Sequence, residues 1–297
     1  MVQHDRKKMI VLFLLPALVL YGVFFIYPSI QAIAMSLTNL TGFNPTGGFV
    51  GLQNYQRQFH DPVFHKALGN TLMILVGSTI VLFALALLFT ALLSRRSVRG
   101  KEFFRAMGLF PAIIPGVALG LIWVFVLSPN FGMLNQTLRT LGLNSLAKPW
   151  LGPKFVMPTV IVALSWSFVG YYTVIMLAGV SRISDEHYDA ARVEGANEWQ
   201  IFAKITLPMI WDVVLMALVL WTIFALKTFE FVLVLTDGGP ANATLTLYIY
   251  IYRLAFGTRT AVYRMGYAAS IGVTLLFLII LVVIIQRIVT RRETIEF

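Results

Sequence analysis

Cysteine is absent from the 297 residues, and charged side chains make up only 12% of them. Without a thiol there is no disulfide framework, no thiol catalysis and no cysteine metal site. The absence carries no information about compartment. Soluble domains hold about 25% charged residues, so this chain lacks the polar surface to cover a soluble fold. Acids are scarcest, with 13 Asp and Glu against 23 Lys and Arg, a net charge of +10. Long polar linkers, low-complexity tracts and clear internal repeats are also missing. What is there is apolar: 58% of residues are hydrophobic and the mean hydropathy is +0.81. One core of this size cannot hide that surface, so lipid must be the solvent for much of the chain.

A spanning helix needs about 20 mostly apolar residues. Six stretches qualify, at about 9–35, 69–93, 106–128, 156–180, 209–235 and 264–289. Ala32-Ile33-Ala34 after a basic start resembles a signal-peptide cleavage site, but the apolar core from Met9 to Ile26 is too long for one. It is read as a retained span. With the N-terminus inside, the cytoplasmic segments hold fourteen Lys and Arg and the external ones eight. The early segments carry this signal, through Arg6, Lys7 and Lys8 and then Arg95, Arg96, Arg99, Lys101 and Arg105. Both termini are expected to be cytoplasmic. The fold class expected is all-α, a polytopic membrane protein with six transmembrane helices.

Signatures of catalysis are missing. The one Gly-Lys pair, Gly100-Lys101, is followed by Glu102 and lacks the glycine a phosphate-binding loop needs upstream. There is no HExxH and no GxSxG. His4, His60, His65 and His187 have no helical metal-ligand spacing, so no metal site is expected. His60 and His65 flank Asp61-Pro62 and are read as surface residues.

Polar residues inside the spans are rarer. Lys227 and Glu230 stand at i, i+3 in the fifth span, where one helix would put them on one face. Each costs about 2.5–3.5 kcal/mol at a bilayer centre. They either pair with each other or line a polar path. Trp166, Tyr171 and Tyr172, with Ser165, Ser167 and Thr173, form a polar-aromatic cluster in the fourth span. Aromatic faces suit sugar C–H faces and hydroxyls suit sugar OH groups, although Trp and Tyr also mark membrane interfaces. These five residues, Trp166, Tyr171, Tyr172, Lys227 and Glu230, are the candidate substrate path. Gly116 and Gly120, and more loosely Ala268 and Gly272, suggest close helix contacts. Pro111 and Pro115 should bend the start of the third span.

Residues 181–208 are too polar to span. Ser184 can cap a short helix with Asp185 and Glu186 at its positive end. Gly195 breaks that helix after Glu194. Asn197 and Gln200 read as a capping box for a second short helix, and Pro208 closes the segment. The pattern is a helix–turn–helix projection built to dock into something.

This segment resembles the EAA motif of bacterial ABC importer permeases, whose spacing is matched by Asp189-Ala190-Ala191, Gly195, Ile205 and Leu207-Pro208. The departure is Asp189 where the motif has Glu, which keeps the charge on a shorter arm. Further stretches are similar to the carbohydrate branch of that family, the maltose-transporter type: Phe49-Val50-Gly51-Leu52-Gln53-Asn54-Tyr55, Arg99-Gly100-Lys101-Glu102-Phe103-Phe104-Arg105, Phe131-Gly132-Met133-Leu134-Asn135, and Thr236-Asp237-Gly238-Gly239-Pro240 followed by Leu247-Tyr248-Ile249-Tyr250. The resemblance covers nearly the whole chain, so residues 1–297 are read as a single transmembrane permease domain.

The resemblance implies a bacterial or archaeal cytoplasmic-membrane subunit that moves a sugar or oligosaccharide. Its partners would be a second unlike permease, a cytoplasmic ATPase dimer, an extracytoplasmic sugar-binding protein and membrane lipid. Nucleic acid would not be one. No cofactor belongs in this chain, since ATP and Mg would bind the ATPase. The coupling contacts would come from Glu186, Asp189, Ala190, Ala191, Arg192, Glu194, Gly195, Ala196, Trp199, Ile205, Leu207 and Pro208. A polyol or sugar-phosphate cargo, or an ion-coupled carrier working alone, are the alternatives.

Overall fold

Proline decides where the apolar stretches of this chain stay straight and where they break. In the computed structural model, which describes residues 2–43, 47–95, 100–257 and 263–289, every helix follows from that interplay of apolar runs, prolines and caps. The chain divides into two compact units, Met1–His65 with Tyr250–Phe277 and Lys66–Ile249 with Leu278–Phe297.

In the first unit, α1 (Val2–Tyr21) continues through one π turn, Gly22–Ile26, into α2 (Tyr27–Ser36). Pro28 has no N–H to donate, so the ladder widens just before it and Tyr27 donates to the Gly22 carbonyl. The chain then forms α3 (Gln53–His60). Its buried amides are hydrogen-bonded. Asn54 Nδ2 donates to the carbonyls of Ser36 and Thr38, both at 2.8 Å. Gln58 donates to Ser270 Oγ and accepts from Thr274 Oγ1. Buried amides without such partners would be costly.

Asp61 caps α4 (Pro62–Leu93), accepting from the N–H groups of Val63 and Phe64 at 2.8 and 3.2 Å. Pro62 takes the first helical position, where a missing N–H costs nothing. The helix therefore starts earlier than the expected boundary at 69, with polar turns preceding the apolar run. At 1.5 Å per residue its 32 residues extend about 48 Å, more than a bilayer core of about 30 Å.

In the second unit the third stretch is not one rod. It is α5 (Lys101–Ile113) and α6 (Gly116–Val126), bent by 100°. Ile114 is extended because a residue before proline is pushed out of the α region. Next come α7 (Met133–Thr140) and the buried α8 (Val156–Val180). Two short helices follow, α9 (Asp185–Val193) and α10 (Glu198–Ile201). A π turn at Phe202–Thr206 leads to α11 (Leu207–Met209), and Pro208 accounts for it as Pro28 did for the first. A 70° bend then opens α12 (Trp211–Leu226). The fifth stretch breaks again at 227–229 before α13 (Glu230–Thr236). α14 (Leu247–Phe256) and α15 (Met265–Val289) complete the order.

Among the described residues, four helices are long and apolar enough to cross a membrane, or six elements if each bent pair counts as one span. The bend expected in the span at 106–128 is present as a 100° break, whereas the span expected at 209–235 is not one helix but is bent before Trp211 and broken again at 227–229. Arg96, Arg99, Arg291 and Arg292, used above for orientation, lie outside the described residues, as do the side chains of Arg6, Lys7 and Lys8.

Glycines set two close crossings. A β-carbon at Gly170 of α8 would overlap the Gly108 carbonyl of α5, so only glycine permits that approach. On α6, a β-carbon at Gly120 would stand 3.0 Å from Val234 Cβ, and one at Gly116 would stand 3.3 Å from Glu230 Oε2. The Gly116–Gly120 pair therefore seats α13. Gly272 has nothing within 4 Å of an added β-carbon, so it makes no such crossing among the described residues.

Candidate functional site

The segment between α8 and α12 is built as its capping residues require. Ser184 Oγ accepts from the Glu186 N–H, and Asn197 and Gln200 exchange both bonds of a capping box at 2.9 and 2.8 Å. Gly195 adopts φ +81°. The Gly195 N–H donates to the Arg192 carbonyl and the Ala196 N–H to the Ala191 carbonyl, which closes α9 with a Schellman turn.

Arg192 ties the two short helices together. Its Nη1 lies 3.2 Å from Asp189 Oδ1 and its Nη2 lies 3.7 Å from Glu198 Oε1. Tyr188 accepts a 3.4 Å bond from Thr206 Oγ1. Burial pushes the Tyr188 hydroxyl above its ordinary range, so it stays protonated at neutral pH. Ala191 and Ile201 are buried beneath the segment.

The opposite face is open. Glu186, Asp189, Ala190, Glu194, Gly195 and Trp199 are exposed, while Arg192, Ala196, Ile205, Leu207 and Pro208 are half-buried. Val193 is 89% exposed, an apolar side chain on a polar helix. Sequence reading passed over Val193. Its signal was a lone β-branched residue beside Glu194. Arg95 holds its guanidinium 4.9 Å above the Trp199 ring, which fixes one edge of that face.

A second feature lies among α5, α6, α8, α12 and α13. It is a cavity of about 590 Å³ bordered by Pro115, Phe168, Phe224, Phe229 and Tyr248. Lys227 and Glu230 both line it. They do not share a helix face, because the chain breaks between them: Lys227 is the C-terminal cap of α12 and Glu230 opens α13. Nor do they form an ion pair among the described residues. Each sits instead at the helix end whose partial charge favours it, the cation at a C-terminus and the anion at an N-terminus.

Trp166, Tyr171 and Tyr172 do not line this cavity. Tyr172 is buried against Trp221 and Phe83, with ring centroids 5.5 and 5.8 Å away. Trp166 and Tyr171 are exposed, Trp166 lying edge-on to Trp123 at 5.4 Å. The hydroxyls of Ser165, Ser167 and Thr173 are buried, donate to carbonyls one turn back in their own helix, and do not line this cavity. From α8 it is Phe168 that faces the cavity, 4.5 Å from the Phe224 ring. Nothing in the spacing of an apolar helix marks Phe168 over its neighbours.

The remaining motif stretches brace the fold. Asn135 accepts from Trp150 Nε1 at 2.8 Å and donates to the Lys148 carbonyl at 3.0 Å. Asp237 and Gly238 turn through positive φ, and Asn70 of α4 donates to the carbonyls of Asn242 and Leu245 in the loop that follows.

Known proteins share this arrangement. The family described as binding-protein-dependent transport system inner membrane component matches residues 84–295. A probable ABC transporter permease protein of Pyrococcus horikoshii is 36% identical over 280 residues, covering 93% of each chain. The diacetylchitobiose uptake system permease protein of Streptomyces coelicolor is 34% identical over 282 residues, 91% of this chain and 79% of that one. Among solved structures, a bacterial ABC transporter involved in import of the acidic polysaccharide alginate superposes with a TM-score of 0.82 at 25% identity, covering 98% of this chain and 97% of the other. Proteins of this kind are membrane-embedded transport subunits rather than enzymes. With 36% identity across nearly its full length and a family match over most of it, the chain belongs to the inner-membrane permeases of binding-protein-dependent ABC transporters.

Proposed function

We propose that this permease forms half of the translocation path for a sugar or oligosaccharide, and that residues 181–208 couple it to a separate ATPase. The cargo reading rests on one observation, the cavity of about 590 Å³ whose wall carries Phe168, Phe224, Phe229 and Tyr248 beside one cation and one anion. Aromatic faces pack on sugar C–H faces, and charged groups accept or donate to sugar hydroxyls. Diacetylchitobiose and alginate, named for two relatives, are both saccharides. Lys227 favours an anionic cargo such as a sugar phosphate, and Glu230 in the same wall opposes it. A polyol fits the same chemistry. Belonging to this family leaves no support for an ion-coupled carrier working alone.

Coupling rests on the exposed outer face of α9 and α10 and on the rigidity that Arg192 gives them. A capped, cross-braced helix pair transmits displacement, whereas a floppy loop would absorb it. The expected assembly is this chain, a second unlike permease, an ATPase dimer that holds ATP and Mg, and an external sugar-binding protein. Both termini would then be cytoplasmic in a bacterial or archaeal cell membrane. ATP-driven closure of the ATPases would carry the coupling segment with it and, through the 70° bend after α11, re-aim α12.

The test is purification of the tagged protein from its native membrane, followed by reconstitution. Co-purification of an ATPase and a second permease is expected, with ATP-dependent uptake of whatever sugar the associated binding protein holds. A protein that emerges alone and transports without ATP overturns the proposal.

A further inference from the structure

We propose that this chain holds an anionic diacyl phospholipid where α4 ends and α5 begins, with the headgroup on Lys101 and Arg105 and an acyl chain in the trench beside α8. Two cavities adjoin there. One, of about 310 Å³, is polar; its charged lining is Lys101, Arg105 and Arg192 with Asp185 and Glu198. The other, of about 420 Å³, is almost wholly apolar, walled by Phe89, Phe104, Met107 and Val169. Leu93 and Arg105 border both.

Charge accounting singles out two cations. Arg192 is shared between Asp189 and Glu198. Lys101 has no ion pair among the described residues. Arg105 gives Nη1 to the exposed Glu102 at 2.7 Å, yet its Nε is shut from solvent with no hydrogen-bond partner. A buried donor left empty is costly, and Arg105 stands between the polar chamber and the trench. A phosphate oxygen of a headgroup supplies the acceptor that Arg105 Nε lacks and a counter-charge for Lys101.

The trench selects the rest of the ligand. Its mouth is formed by the exposed side chains of Phe89, Phe104 and Met107, and its floor by the buried Val169 and Gly170. A free phosphate has no use for that surface, and a zwitterionic lipid gains less from the two cations. An anionic lipid satisfies both halves at once. Its place in the cytoplasmic leaflet rests on the reading of residues 181–208 as cytoplasmic. There it would wedge α5 against α8 beside the coupling segment.

The assembled transporter in detergent tests this by its melting temperature during titration. The probes are phosphatidylglycerol, phosphatidylcholine of the same acyl chains, and inorganic phosphate. Phosphatidylglycerol is expected to raise the midpoint saturably, and the other two are not. Lys101→Gln and Arg105→Gln should each weaken the apparent affinity about fivefold. Phe104→Asp, an acid at the exposed trench mouth, should do the same. Lys204→Gln, an exposed cation outside both cavities, should leave it unchanged. Equal shifts with the two lipids, a shift with phosphate alone, or undiminished affinity in the Lys101 and Arg105 variants would each overturn the site. A cross-link from position 104 to the second permease would overturn it too, since protein would then fill the trench. ATP-dependent uptake by the same preparation keeps the two readings apart. Uptake that persists while phosphatidylglycerol gives no selective shift rejects this site alone, and loss of uptake in the unmodified complex rejects the transport proposal.

Discussion

The Asp61 carboxylate accepts a 2.6 Å hydrogen bond from the Tyr267 hydroxyl across more than 200 residues of sequence. The same oxygen, Oδ2, accepts from Tyr250 at 2.6 Å, while Oδ1 caps α4. One carboxylate thus joins the starts of α4 and α15 to α14. Arg57 lies 4.9 Å above the Tyr267 ring and adds a cation on the outer side. Burial alone would raise the Asp61 pKa, but the bonds from Tyr250, Tyr267, Phe64 and Val63 outweigh it and hold the carboxyl below its usual range.

That direction fixes a pH dependence. A carboxyl whose folded pKa lies below its unfolded value, about 3.9, stabilises the fold fully above that value. The contribution is lost as pH falls through the folded pKa. Asp61→Asn should lower stability by about 1–2 kcal/mol at neutral pH, since the site is part-exposed and its charged bonds are screened. Melting curves of both proteins should stay separated from pH 7 to about 5 and converge on acidification. A gap that persists unchanged at pH 3 would remove the charge from the explanation.

Gly195 separates a backbone effect from a docking effect. Its φ of +81° strains any other residue, yet nothing lies within 4 Å of an added β-carbon. Gly195→Ala should cost about 1 kcal/mol locally and leave uptake largely intact. Gly195→Glu adds bulk and charge to the exposed face and should uncouple transport, at normal membrane abundance. The measurement is ATP hydrolysis stimulated by liganded binding protein, beside uptake. Normal coupling in the glutamate variant would end the docking role of this face.

Gly170 and Gly272 form a matched pair for packing. A β-carbon at Gly170 meets the Gly108 carbonyl, which is backbone and cannot swing aside. Gly170→Ala should therefore reach about 3 kcal/mol of destabilisation, the upper end for overpacking. Gly272→Ala meets open space and should be neutral or stabilising by about 0.5–1 kcal/mol through helix propensity. Thermal melting in one detergent compares them directly, and similar losses in both would contradict the geometry.

Much of this was visible in the residues. Runs of apolar side chains gave the membrane class, and Ser184, Gly195, Asn197 and Gln200 gave the two short helices of residues 181–208 because capping is local chemistry. The break at 114–115 was half visible: Pro115 announced a bend but not its 100°. The break at 227–229 was hidden, since neither proline nor glycine marks the place where the helix stops. The cavity was invisible. Phe168 and Tyr172 are four residues apart on α8 and both touch Trp221, yet only Phe168 borders the cavity. Buried helices that are apolar all round offer no periodic stripe to tell such faces apart.

Lys227 and Glu230 carry the remaining prediction. If each charge merely suits its helix end, removing it costs about 0.3–1 kcal/mol and uptake falls only with abundance. If both line the cargo path, the effect falls on substrate affinity. Lys227→Gln and Glu230→Gln should then leave assembly with the ATPase intact and raise the KM for uptake about tenfold, as expected when a charged hydrogen bond of about 1.5 kcal/mol is lost. The two variants should also differ in sign toward an anionic analogue of the cargo. Glu230→Gln removes a repulsion and should admit it better, whereas Lys227→Gln should exclude it. Uptake kinetics at matched membrane abundance decide the matter. Equal losses in maximal rate with unchanged KM would return both residues to helix-end roles and leave the cavity's aromatic wall as the sole cargo surface.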